Sequence, residues 1–233
     1  MVDRIYVVCE GQSECAFIKE NLNPWFLPRT GGKCQLIPYV VITSRDRKAG
    51  RIHRGGIVGY GKVKDDILRC MSYGQPVTTM IDLFRLSRDF PCFQNASGLD
   101  DSKDRVLFLE HKMKEDILES ARGFRSDFFI PYIELHEFEA LFYCDLTALR
   151  SEYVDREEQR KIDKLISDVQ GLAPEEINNG SETAPSKRLQ KALNYRKGDA
   201  VVSPLARIGI DRMMEKCPHF SSWIQNLLEV SKC

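Results

Sequence analysis

Short runs of consecutive apolar residues punctuate this chain, and they set its framework. Residues 4–9, RIYVVC, carry a β-branched apolar stretch that suits a strand buried on both faces. Comparable runs fall at 35–43 (QLIPYVVIT), 77–82 (VTTMID) and 128–135 (FFIPYIEL). The first run ends in Glu10-Gly11-Gln12-Ser13-Glu14, and the following FIKENLNPWFL reads as a helix with Ser13 as its N-cap. Further helices are expected at 62–72, 105–122 and 136–150. Residues 44–62 read as a mobile, glycine-rich loop and 83–104 as irregular. Beyond 151 the chain is polar and helical, broken at 174–186, and closes with helices near 186–196, 207–217 and 219–230. The order β-α-β-α-β-α-β-α predicts an α/β fold, a mostly parallel sheet with helices on both faces. That core is expected at 1–150, with a helical C-terminal extension at 151–233 packed on it.

Composition narrows the function classes. With 233 residues and 42% hydrophobic content the chain has ample material for a buried core. Its 34 basic and 34 acidic residues cancel, so attraction to a polyanion must come from local patches. No apolar run approaches the roughly 20 residues needed to cross a bilayer, and MVDRIYVVCEGQSE lacks the pattern of an export signal. The expectation is a cytoplasmic protein without membrane association. The eight cysteines are scattered, none in a CxxC pair, which reads as reduced and mostly buried thiols. Cys217 and His219 offer half of a zinc site, with no second half evident.

The chemistry concentrates in acids at strand ends. In an open α/β sheet, ligands collect beyond the carboxyl ends of the strands. The first strand delivers Glu10 there, the third delivers Asp82, and the fourth runs into His136-Glu137-Phe138-Glu139. Glu14 follows Glu10 by four residues, so one helical turn returns it to the same spot. Clustered carboxylates repel unless some are protonated or a cation holds them, and hard oxygen donors favour Mg²⁺ or Mn²⁺ over zinc. The second histidine of an HExxH zinc signature is missing, because residue 140 is alanine. Arg45, Arg47, Lys48, Arg51, Arg54 and Lys62 would supply a cationic surface for nucleic-acid phosphates. Each element has a plainer reading: Glu10 as a turn cap, Asp82 as an N-cap, His136 as a satisfied buried histidine, the basic stretch as a solvated insertion.

An apolar strand, then Glu-Gly-x-x-Glu, a helix, and a later strand ending in Asp resembles the Toprim domain of topoisomerases, primases and OLD-type nucleases. The segments EGQSE, TTMIDLFRLSRDFP, IPYIELHEFEALFY, APSKRL and GIDRMMEKCPHFSSWIQNL resemble a bacterial family of stand-alone, Toprim-like proteins catalogued as a domain of unknown function, over about residues 3 to 228. The resemblance implies a Toprim-like (Rossmannoid) fold and roles residue by residue. Glu10 matches the first Toprim glutamate, a metal ligand or general acid/base. Glu14 and Asp82 match further acids, and Glu137 and Glu139 fall where OLD-type enzymes carry a late acidic pair, Glu139 matching better. Lys187 corresponds to a late lysine that neutralises transition-state charge. Phe84 stands where the second aspartate of Asp-x-Asp belongs, so one metal position is either lost or filled by Asp89 or Glu137.

These implications add up to a Mg²⁺- or Mn²⁺-dependent nuclease in anti-phage defence, partnered by an ABC- or AAA-type ATPase. The chain has no GxxxxGK[ST] loop and is not that ATPase. A homodimer is left open. The competing reading is a non-catalytic Toprim module that binds nucleic acid or a partner protein. A nucleotidyl or phosphoryl transferase using the same acids is a third.

Overall fold

In the computed structural model the described residues are 2–46, 51–54, 59–177, 180, 183–193, 195 and 201–233; for 42–46 and 51–54 the backbone alone is described. The first strand, β1 (Arg4–Cys9), leads into a continuous helix, α1, made of Gln12–Phe17, a π-helical stretch Ile18–Leu22, and Asn23–Arg29. Then come β2 (Gln35–Val40), β3 (Ile42–Asp46), β4 (Arg51–Arg54), helix α2 (Tyr60–Met71) and β5 (Val77–Asp82). Helix α3 (Ser102–Ser120) precedes β6 (Phe129–Ile130) and β7 (Ile133–Glu134). Five further helices follow: α4 (Arg156–Asp168), α5 (Pro185–Ala192), α6 (Val202–Ile208), α7 (Ile210–Lys216) and α8 (Pro218–Val230).

The main sheet has the order β2-β1-β5-β6, with β7 also pairing β5, and every pair in it is parallel. All six residues of β5 are buried, as expected for a central strand covered on both faces. Two apolar clusters do the covering. One takes Ile5, Val7 and Cys9 of β1 with Phe17, Ile18 and Leu22 of α1 and Phe220, Trp223 and Ile224 of α8. The other takes Val8 with Ile67 of α2 and Val106, Leu109 and Met113 of α3. The alternation along β1 therefore sends successive side chains into different layers. The α/β fold with a mostly parallel sheet is as the apolar runs indicate.

The fourth run breaks in two at Pro131, which lacks an amide hydrogen for the ladder. Thr79 of β5 repairs the gap. Its hydroxyl donates to the Tyr132 carbonyl at 2.8 Å and accepts the Tyr132 N–H at 2.8 Å. Thr78 likewise donates to the Ile130 carbonyl at 2.5 Å.

Three local expectations need correction. Where described, the stretch expected as a mobile loop is a two-stranded antiparallel ribbon, β3 against β4, with Asp46 opposite Arg51; cross-strand pairing organises residues whose charge and glycines suggested none. Residues 47–50 and 55–58 lie outside the described set. The expected helix at 136–150 is instead two 3₁₀ segments, Phe138–Cys144 and Leu146–Ser151. All seven side chains from Phe138 to Cys144 are buried, so the segment has no solvent face and its tight turns are fixed by tertiary packing. The cap of α1 is Gly11 and not Ser13, which is buried inside the first turn.

Candidate acidic site at the carboxyl pole of the sheet

β1 and β5 are neighbours, so Glu10 and Asp82, just past and at their carboxyl ends, emerge together. The Asp82 N–H donates to Glu10 Oε2 at 3.2 Å, while the Glu10 N–H donates to the Met80 carbonyl at 3.1 Å. Both carboxylates are buried, Asp82 at 1% exposure. Asp82 Oδ1 accepts the Phe138 N–H at 2.8 Å, which ties the strand end to the 3₁₀ segment that carries Glu139. Glu14, also buried, folds back over Gly11: a Cβ at that position would lie 3.0 Å from Glu14 Oε2. A side chain at residue 11 would press on that carboxylate, which would have to give by a few tenths of an ångström, while the backbone φ there is one any residue adopts.

One cation, at a position that no strand end marks, offsets part of the charge of this pocket. Leu83–Arg85 forms a single 3₁₀ turn after β5, so Arg85 returns above Asp82. Its guanidinium donates to Glu10 Oε1 at 3.0 Å, and its Nε lies 4.0 Å from Asp82 Oδ2. Burial disfavours the Arg85 cation, but Glu10 and Asp82, then Glu139, outweigh it and raise its pKa. Tyr195 closes the far side. Its hydroxyl donates to Glu139 Oε1 at 3.1 Å, and burial, followed by Glu139 and Glu14, pushes its pKa up. Arg85 thus faces Glu10, Asp82 and Glu139, while Tyr195 faces Glu139 and Glu14.

Other predicted residues lie elsewhere or serve other ends. Glu137 Oε2 accepts the Ser186 N–H at 2.9 Å, capping the first turn of α5. Lys187 is the next residue along and is exposed, on a helix tied to the pole at its other side through Ser186. Asp89 is exposed and lies against the start of α2; Ser87, then the backbone of Tyr60 and Gly61, lower its pKa. Asp89 thus acts at the start of that helix. Phe84 is 40% exposed, its N–H donating to the His136 carbonyl at 3.1 Å. His136 is buried with a φ of 67°, and its Nε2 pairs with the Glu175 carbonyl at 3.1 Å. Arg45 lies in β3, and Arg51 and Arg54 in β4, on a ribbon that starts two residues beyond the carboxyl end of β2. Arg47 and Lys48 lie outside the described residues, and Lys62 is exposed on α2.

The donor set is all hard oxygen, which matches Mg²⁺ or Mn²⁺ chemistry. As arranged, no three His, Cys, Asp or Glu groups converge on a metal-binding point among the described residues. Arg85, its side chain one-third exposed, lies against Glu10 and Asp82 instead. Cys217 and His219, the half-site of the sequence, turn to different partners. Cys217 Sγ lies 3.4 Å from Cys144 Sγ, while the His219 ring turns to Glu110 at 3.0 Å. Six cysteines are buried and all eight are free thiols.

No helix among the described residues is long and apolar enough to cross a membrane. No curated protein and no solved structure matches the chain. A family model does match, over residues 9–228, a span that includes every acid of the pole. The chain belongs to the family described as Domain of unknown function (DUF4276).

Proposed function

We propose that this protein is a Toprim-type phosphodiesterase that cleaves nucleic acid with Mg²⁺ or Mn²⁺ held by Glu10, Asp82 and Glu139, with Glu14 beside them. The observation that carries the reading is the joining of Glu10 to Asp82 through the Asp82 N–H and the Arg85 guanidinium. Two acids 72 residues apart are buried together, at real desolvation cost, at the pole where α/β sheets bind ligands. A divalent cation there would lower the pKa of a bound water and offset charge on the departing oxygen.

The chain's own residues supply the rest. Asp82 is held in place by the Phe138 N–H, and Glu139 by Tyr195, so neither needs to reorganise widely. Arg85 would release Glu10 as the cation enters and, with a solvent-facing side chain, would turn its guanidinium toward a substrate phosphate. The ribbon β3–β4, with Arg45, Arg51 and Arg54, rises from the same pole and is the proposed track for the nucleic-acid backbone. Purified protein should cut a labelled DNA or RNA in Mn²⁺ and not in EDTA, and Glu10→Gln should lower the rate at least about 100-fold. Equal cutting by the variant contradicts the proposal. The resemblance adds an ATPase partner in anti-phage defence, which co-purification from a native host would test.

One observation favours a second reading. Arg85 already pairs with Glu10 and sits beside Asp82, and Phe84 stands where the resemblance places an acid, as in a Toprim scaffold that binds without cutting. Under that reading the protein binds no Mn²⁺ at millimolar concentration yet retains its partner.

A further inference from the structure

The C-terminal third carries a groove outside the acidic pole. Helices α4 and α5 enclose a cavity of about 380 Å³ lined by Lys161, Lys164, Asp168, Arg188 and Lys191, with Leu165 and Ala192 also in its wall. The spacing is helical on both sides. Residues 161, 164, 165 and 168 form one stripe of α4, and 188, 191 and 192 form one stripe of α5. The other flank of α4 buries Ile162 in the core, so this basic stripe is fixed in its outward direction. Among the described lining residues four cations face one carboxylate, in a chain whose net charge is zero. Lys161 is paired with Glu157 at 2.7 Å on the rim, whereas Lys164 and Lys191 have no ion-pair partner among the described residues. Arg188 is steadied by its Nε–H donating to the Thr183 carbonyl at 2.7 Å.

Helix α5 links this groove to the acids. Its first turn is fixed by Glu137 accepting the Ser186 N–H at 2.9 Å and by Tyr143 donating to the Pro185 carbonyl at 2.9 Å. At 1.5 Å per residue, Lys191 lies only about 8 Å farther along the axis than Ser186. We infer that the α4–α5 groove binds the sugar–phosphate backbone of nucleic acid, through Lys164, Arg188 and Lys191, alongside the acidic pole. The choice of nucleic acid over other polyanions rests on the proposed phosphodiesterase reading; the anionic ligand class rests on the groove itself.

Fluorescence anisotropy of labelled 20-nucleotide DNA and RNA, in EDTA, tests it without any cleavage. Lys164→Ala/Lys191→Ala should weaken binding about tenfold at low salt and flatten the slope of log affinity against log salt by about two. Lys164→Arg/Lys191→Arg should retain binding, and both variants should melt as the wild type does. Unchanged affinity and slope, or no binding by the wild type, overturns the groove. Lysine-dependent binding without cleavage in Mn²⁺ upholds the groove and overturns only the catalytic reading.

Discussion

The backbone N–H of Asp82 donates to Glu10 Oε2, so one strand end holds the carboxylate of its neighbour. Arg85 completes the arrangement by bridging both acids from a turn three residues on. Both carboxylates are thereby buried and aligned, and they share a single cation.

Asp82 has a structural duty that separates two of its variants. Its Oδ1 accepts the Phe138 N–H at 2.8 Å, a bond an asparagine can keep and an alanine cannot. Asp82→Ala should be less stable than Asp82→Asn by about 1–3 kcal/mol in urea denaturation, the cost of an orphaned buried amide. Both should lose catalysis together, since each removes the charge. Equal stability of the two variants would mean that the amide finds another acceptor.

Arg85→Met removes the resident cation and leaves Glu10 and Asp82 facing each other. Stability without metal should fall by about 1 kcal/mol, a modest figure because Arg85 is one-third exposed. Addition of Mn²⁺ should raise the melting temperature of this variant more than that of the wild type. A smaller Mn²⁺ response in the variant would show that Arg85 assists the ion and does not compete with it.

Much of this pole is legible in the sequence, and the exceptions share a cause. Apolar runs ending in Glu10 and Asp82 place both acids at strand ends, because a strand buried on both faces leaves few other places for a carboxylate. Arg85 is hard to read from the sequence because its role depends on a single 3₁₀ turn within a stretch that lacks periodicity. Its i+3 spacing from Asp82 is the one local signal of that role. Tyr195 is separated from Glu139 by 56 residues with no pattern linking them, so tertiary packing alone pairs them. The β3–β4 ribbon was masked by glycines and charge, and the 3₁₀ form of Phe138–Cys144 by apolar spacing that also fits an α-helix.

A second buried polar group gives a pH prediction. Glu110 Oε1 accepts from the Ile133 N–H at 2.8 Å and from His219 Nε2 at 3.0 Å. Burial disfavours the His219 imidazolium, but Glu110, then Glu175 and the Ile133 carbonyl, outweigh it and raise the pKa. Burial also raises Glu110, against His219, which taken alone would favour a neutral acid. Two donors on one oxygen favour the carboxylate and with it the ionised pair. A raised histidine pKa stabilises the fold fully below about 6.5 and progressively less as pH rises through the raised value. The melting advantage of wild type over His219→Gln should therefore shrink between pH 6 and 8.5. A constant difference across that range contradicts the ionised pair.

The last helix is part of the core. Trp223 stacks on Tyr132 at 4.3 Å with an 11° interplanar angle, and its Nε1 donates to Thr78 Oγ1 at 2.8 Å. Trp223→Ala should cost about 3–5 kcal/mol in chemical denaturation. A cost below about 1 kcal/mol would show that α8 contributes little to the β5 layer.

Direct Mn²⁺ binding, followed by loss of the free-ion EPR signal, is the decisive measurement. Wild type should take up Mn²⁺ at sub-millimolar concentration, and Glu10→Gln/Asp82→Asn should leave the free-ion signal as it is in buffer. Uptake that is absent from the wild type, or undiminished in the double variant, would contradict the assignment of this pole as a divalent-cation site.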